Sequence, residues 1–188
     1  MSTKAPGIKV TVFVGVSVDG FLARPNGAVD FLPADGGEPH GFPEFYASVD
    51  AVVIGRKTYE WVESYGKWVY GKKRVVVLSS RPVELSWIKG GVVEQMSGEP
   101  AAIVRRLGAS GAKHLYVDGG ITIQRFLTAG LVDRMVITRV PVLIGDGIPL
   151  FGKLPHDIKL QHIETKSYKT GLVKSEYRVR KTAKRKKK

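Results

Sequence analysis

Three short stretches combine residue types that could hold phosphate groups. In residues 113–131 (KHLYVDGGITIQRFLTAGL), an alternating, β-prone run ends in Gly119 and Gly120. Ile123, Phe126, Leu127 and Leu131 then recur at helical spacing. The pattern reads as strand, tight glycine turn and helix start. Paired glycines let a backbone pass close to a ligand, and the free N–H groups of a helix N-terminus face an anion. A second junction of this kind is Gly55-Arg56-Lys57-Thr58, where the apolar run 50–54 gives way to a helix that begins with two cations and a hydroxyl. The third, Ser79-Ser80-Arg81-Pro82, puts two hydroxyls and a guanidinium after the β-branched run 74–78 (RVVVL). Each has a plainer reading: a strand-to-helix turn, a pair of surface cations, a polar turn. Their agreement carries more weight than any one of them. An extended ligand with two phosphate clusters, such as a dinucleotide, would engage all three. Asp19-Gly20 adds an acid at the end of an apolar run, suited to a site or equally to a turn.

The elements that must position these loops are legible in order. Residues 8–18 (IKVTVFVGVSV) form a nearly continuous apolar run, as a strand buried on both faces should. Phe21-Leu22-Ala23 resumes it briefly. Residues 24–43 are rich in Pro, Gly and Asp around Phe31-Leu32, and a loop this long is expected to be a lid over a pocket. Pro43 opens a short helix with Glu44 in its first turn. Residues 91–94 read as a strand, and residues 100–107 as a helix with Ile103, Val104 and Leu107 on its apolar side. Residues 133–144 (DRMVITRVPVLI) read as a strand closed by Gly145-Asp146-Gly147, and 160–168 with 173–179 as an antiparallel hairpin around Thr170-Gly171. Alternating strands and helices followed by strands alone define an α/β class. The expected architecture is a mostly parallel central sheet with helices on both faces and an antiparallel C-terminal hairpin. The three polar loops leave the carboxyl ends of parallel strands, where open α/β sheets bind ligands.

Composition narrows the chemistry. The 188 residues suit one domain, taken as residues 1–180, followed by a basic disordered tail, 181–188 (KTAKRKKK). Six of the thirteen net positive charges fall in that tail, and the remaining +7 is compatible with an anionic ligand. No aromatics interleave the tail, so contact with nucleic acid is expected only through its charge. The absence of cysteine excludes disulfides, thiolate metal sites and cysteine nucleophiles. His40, His114, His156 and His162 lack metal-ligand spacing, so no metal is expected, and Trp61, Trp68 and Trp87 read as packing residues. There is no membrane-length apolar run and no signal-peptide core, and a cytoplasmic location is the expectation.

Five motifs in order now form a recognisable series: residues 17–23 (SVDGFLA), 50–60 (DAVVIGRKTYE), 75–81 (VVVLSSR), 116–127 (YVDGGITIQRFL) and 140–151 (VPVLIGDGIPLF). The series, covering about residues 8–180, resembles the dihydrofolate reductase-like superfamily. It is closest to stand-alone domains similar to the C-terminal reductase domain of bacterial riboflavin-biosynthesis deaminase/reductase proteins. The resemblance implies a dihydrofolate reductase-like fold and an NADPH-dependent reductase. On it, Gly55, Arg56, Lys57 and Thr58 bind one side of the pyrophosphate and Gly119, Gly120, Ile121, Thr122 and Ile123 the other. Ser79, Ser80 and Arg81, with Leu78 beside them, hold the adenosine 2′-phosphate and favour NADP over NAD. Leu22 and Ala23 border the nicotinamide. Asp19 matches the aspartate of the family's SLDG motif and is named as the catalytic polar participant near the substrate.

Departures from the pattern bear on the substrate. Glu44 lies in a helix comparable to that carrying the pterin-binding acid of dihydrofolate reductases, in surroundings that do not match. Residues 25–31 (PNGAVDF) replace the Ser/Lys/Trp-containing substrate segment of the riboflavin reductases. With no cysteine and no HxE motif, a zinc deaminase module is absent. The resulting expectation is a homodimeric, cytoplasmic reductase of a small heterocyclic or carbonyl substrate. The leading substrate class is 5-amino-6-(5-phosphoribosylamino)uracil-like. The alternatives are a dihydrofolate reductase proper, or a non-catalytic nucleotide- or nucleic-acid-binding module using the basic tail.

Overall fold

Valine-rich runs become the strands. In the computed structural model, which describes residues 7–33 and 40–180, β1 (Lys9–Ser17) lies inside an eight-stranded sheet. It sends Val10, Val12, Val14 and Val16 into one core and Phe13 into the other. The chain continues through β2 (Phe21–Ala23), α1 (Phe42–Ser48), β3 (Ala51–Gly55), α2 (Arg56–Ser64), β4 (Arg74–Leu78) and β5 (Val92–Met96). Then follow α3 (Pro100–Ala109), β6 (His114–Asp118), α4 (Gly120–Thr128), β7 (Arg134–Val140), β8 (Ile148–Pro149), β9 (Leu160–Ser167) and β10 (Val173–Val179). The sheet order is β5-β4-β3-β6-β1-β7-β10-β9, parallel from β5 to β7 and antiparallel through the final hairpin.

Helices cover both faces. α3 and α4 bury Ile103, Val104, Leu107, Ile123, Phe126 and Leu127 against one side of the sheet, while Phe45 of α1 and Tyr59 of α2 pack on the other. Each such side chain contributes roughly 1.5–3 kcal/mol by leaving water. This is the expected fold class.

Two strands differ from expectation. The run 133–144 stops at Val140, because Pro141 has no N–H to continue the ladder. Beyond it, the Val142 carbonyl accepts from Val18 N at 2.9 Å, carrying the loop alongside the end of β1. The two-residue β8, which pairs antiparallel with β2 in a separate ribbon, is too short to leave a periodic signal. The lid expected over 24–43 lies partly outside the described residues. Its first half is held by an Arg24–Asp30 ion pair at 2.6 Å, and Leu32 packs over Gly15. The expected disordered tail, 181–188, also lies outside the described residues. Among the described residues no helix is long and apolar enough to cross a membrane.

Candidate active site

β3 and β6 are neighbours, with Ile54 opposite Asp118, so the two glycine junctions that follow them open side by side. A Cβ on Gly55 would stand 2.6 Å from Thr122 Oγ1, and one on Gly119 2.4 Å from Thr58 Oγ1. Each helix therefore fills the space above the other strand's glycine with a threonine, which draws the N-termini of α2 and α4 together. Gly119 has φ 88° and ψ 133°, a conformation closed to L side chains. Neither helix has a side-chain cap, so its first N–H groups remain for an anionic guest.

One end of this cleft is apolar. A Cβ on Gly120 would lie 2.9 Å from Ile148 Cγ2 and 3.6 Å from Leu22 Cδ1, so the β2–β8 ribbon borders the start of α4. Ala23 is buried there, its carbonyl close against Gly147. The other end is a cavity of about 510 Å³ lined by Arg56, Leu78, Ser79, Ser80, Arg81 and Arg125, with residues 97–99 closing it. Five residues expected at a phosphate site are thus brought together. Arg125 is an addition: it donates to Gly98 O at 3.2 Å and stands 4.0 Å from Glu99. Its place on α4, 44 positions after Arg81, left no sequence signal linking the two.

Three expected residues make structural contacts of their own. Ser79 is 8% exposed, and its hydroxyl donates to Arg81 O at 2.6 Å and accepts from Arg81 N at 3.1 Å. It shapes the turn and leaves Ser80 and Arg81 exposed for a ligand. Ile123 is fully buried in the core and its amide bonds to Gly119 O, so neither group faces the cleft. Asp19 accepts from Ile144 N at 3.1 Å and Gly145 N at 2.8 Å. The Ser17 hydroxyl foremost, then those amides, hold its carboxyl below the ordinary range. The carboxylate thereby ties the β1–β2 turn to the 144–147 loop. Lys57 and Ile121 are exposed at the two helix starts, Arg56 and Thr58 are half-buried, and Thr122 is buried over Gly55. Arg56 pairs with Glu60 at 2.7 Å.

The structure singles out Asp118, which the sequence reading passed over. It ends β6 between the two halves of the sheet, accepts from Gly119 N at 2.7 Å and lies beside Tyr116 and Tyr70. Burial raises its carboxyl above the ordinary range, outweighing the Gly119 amide and the Tyr116 hydroxyl that favour ionisation. Burial likewise pushes Tyr116 and Tyr70 up. The surrounding wall is aromatic: Phe13 stacks on Phe45 at 4.9 Å, and Phe42 and Phe45 meet Tyr116 edge-on at 6.1 and 5.2 Å. A carboxyl raised in this way holds its proton more tightly than an exposed one and can deliver it. The available sequence signal was an acid at a strand's last position, directly before paired glycines. Among the described residues no group of three acidic or histidine side chains could hold a metal.

Comparison with known proteins identifies the family. The family model for the RibD C-terminal domain matches residues 8–174. The Bacillus subtilis (strain 168) protein YwjB is 30% identical over 168 residues, covering 85% of this chain and 92% of its own. A crystal structure from Shewanella sp. PV-4, named for riboflavin biosynthesis, superposes with a TM-score of 0.83 at 34% identity, covering 93% of this chain and all of that one. Dihydrofolate reductase from Enterococcus faecalis, solved with NADP(H), shares the fold at a TM-score of 0.63 and 14% identity, over 92% of this chain and 97% of its own. The match spans most of the described residues, and the chain belongs to the RibD C-terminal domain family, with a dihydrofolate reductase-like fold.

Proposed function

We propose that this protein is an NADPH-dependent reductase of a small heterocyclic or carbonyl substrate, with a pyrimidine of the kind reduced in riboflavin biosynthesis as the leading candidate. One observation carries the reading. The paired glycine junctions form a cradle that any Cβ would fill, with an arginine-lined cavity at one end and a half-buried acid close by. The name of the Shewanella structure and the NADP(H) complex of the Enterococcus enzyme support it.

Bound NADPH would supply the hydride, and the chain supplies the rest. The first amides of α2 and α4 hold the pyrophosphate between two helix N-termini. Ser80, Arg81 and Arg125 hold the 2′-phosphate, the guanidiniums by charge-assisted hydrogen bonds. Leu22 and Ile148 form the apolar border at the nicotinamide end. Asp118 holds a proton for the substrate nitrogen or oxygen that gains electron density, and the aromatic wall limits water around it. The protein works as a homodimer: β9 is an edge strand exposed along all eight residues, a surface open to pairing.

Titrating NADPH and NADH while following nicotinamide fluorescence tests the reading. NADPH should bind the tighter, and Arg81→Ala and Arg125→Ala should each weaken it roughly ten-fold or more while leaving NADH little changed. Binding of neither nucleotide would overturn the proposal.

A further inference from the structure

Two buried hydroxyls that the reductase reading does not use lie on the sheet face that carries Asp118. Thr138 of β7 is 5% exposed and Tyr168, just after β9, is 7% exposed. Neither Thr138 Oγ1 nor the Tyr168 phenol oxygen has a hydrogen-bond partner. Buried polar groups are paired as a rule, so two orphans on one face mark a place where a guest completes the pairing.

Strand register gathers these hydroxyls around a lysine. Thr138 stands opposite Gly15 on one side and Lys174 on the other, and Lys174 stands opposite Lys166. Cross-strand partners share a face, so Thr138, Lys174 and Lys166 project together. The Lys166 ammonium lies 4.9 Å from the centre of the Tyr168 ring. His40 bridges the group: its carbonyl accepts from Lys174 Nζ at 3.2 Å, and its ring lies 6.1 Å from that of Tyr168. Like charges directly opposite one another repel. Among the described residues neither lysine has an ion pair. An anion beside them would relieve that repulsion and accept from the orphaned hydroxyls.

Asp118 shares this face, two residues beyond the Thr11–Tyr116 pair and so level with Phe13. Two strand spacings across and two residues along separate it from Thr138, about 12 Å, and Lys174 is one strand further, at about 16 Å. Gly15 leaves the floor between them without a side chain, and Leu32 leans over it, 2.8 Å from where a Cβ would stand. These spans fit one molecule with its reacting ring at Asp118 and a charged end beyond Gly15. Resting on the reductase reading, we propose that the substrate carries a terminal oxyanion, a phosphate monoester or a carboxylate, held by Lys174, Thr138 and Tyr168. Lys166 adds positive charge behind them. These side chains are positioning and specificity residues: they select substrates with an acidic end and fix the ring over Asp118.

Isothermal titration calorimetry of the full chain with ribose 5-phosphate, gluconate and neutral ribose tests this, with NADPH binding followed separately by fluorescence. One of the two anions should bind roughly ten-fold or more tightly than ribose, and the tighter one identifies the oxyanion. Lys174→Met should weaken that anion roughly ten-fold or more, and Thr138→Val about three- to ten-fold. Lys174→Arg should recover most of the loss, which a purely structural role for the lysine would not require. The far-UV spectrum and the NADPH titration should match those of the unsubstituted chain in all three variants. No preference for either anion over ribose, or equal anion affinity in Lys174→Met and Thr138→Val, would overturn the inference, and the reductase reading would stand if NADPH still bound. No NADPH binding would overturn that reading, and with it the anion's assignment to a substrate, even where anion binding remained sensitive to Lys174.

Discussion

Replacing Gly119 by alanine tests the cradle and the fold together. The backbone there has φ 88° and ψ 133°, and an alanine must either keep that strained conformation or twist the junction. Holding it costs about 1–3 kcal/mol. The new methyl would also stand 2.4 Å from Thr58 Oγ1 and 3.5 Å from Thr58 Cβ, so the hydroxyl must rotate away or α2 must retreat. A further ~1 kcal/mol for displacing that packed group brings the loss to about 2–4 kcal/mol. For a domain of this size that lowers Tm by about 4–16 °C. Thr58→Ala removes the offending oxygen and leaves a Cβ at ordinary contact distance. The double variant should therefore recover the steric part and keep the strain, a coupling of about 1 kcal/mol. Thermal unfolding by circular dichroism reads the stability, and NADPH fluorescence titration reads the cleft, where Gly119→Ala should weaken binding at least ten-fold. An unchanged Tm in Gly119→Ala, or strict additivity with Thr58→Ala, would refute the reciprocal packing of the two junctions.

Other outcomes follow from the same geometry. Asp118→Asn should lower turnover by about 10²- to 10⁴-fold at saturating substrate if Asp118 supplies the proton. Because burial raises its carboxyl above the unfolded value of 3.8, its cost to stability grows as pH rises from that value through the folded pKa. The asparagine variant should accordingly gain Tm at pH 7 and none near pH 3, and a loss at pH 7 would contradict the buried acid. His114 bonds to Thr11 Oγ1 at 2.9 Å and to Ser48 O at 3.2 Å, tying β6 to β1 and to the end of α1. Burial foremost, then Lys9, holds its imidazole below the ordinary 6.5, so the stability it contributes is present above about pH 6.5 and is lost as pH falls through the folded value. Urea midpoints at pH 7.5 and 5.5 should converge in His114→Gln, and an undiminished pH dependence would assign the effect elsewhere. Phe126→Ala, at a fully buried position under α4, should cost about 3–5 kcal/mol.

Local chemistry was enough to place most elements. Runs such as RVVVL and HLYVD became β4 and β6 with the expected limits, because strands buried on both faces need unbroken apolar stretches and glycine or serine ends them abruptly. The glycine junctions were legible for the same reason: a strand, a glycine and a helix start are consecutive in sequence. β7 ended early at a proline that the run of apolar residues disguised, and β8 was too short to show a period.

What the sequence by itself determined was the α/β class, the three phosphate-type loops and the charge of the tail. Only the tertiary structure decided which groups in those loops are exposed and which are engaged within the protein. Ser79 spends its hydroxyl on its own turn, and Ile123 turns into the core. Arg125 arrives at the arginine cavity from a later helix. Thr58 and Thr122, 64 positions apart, meet each other's glycine because β3 and β6 pair. The Asp118 carboxyl is held above its ordinary range by burial at the end of β6. Residue type and local spacing are written along the chain, but burial and long-range contact exist only once the strands have chosen their neighbours.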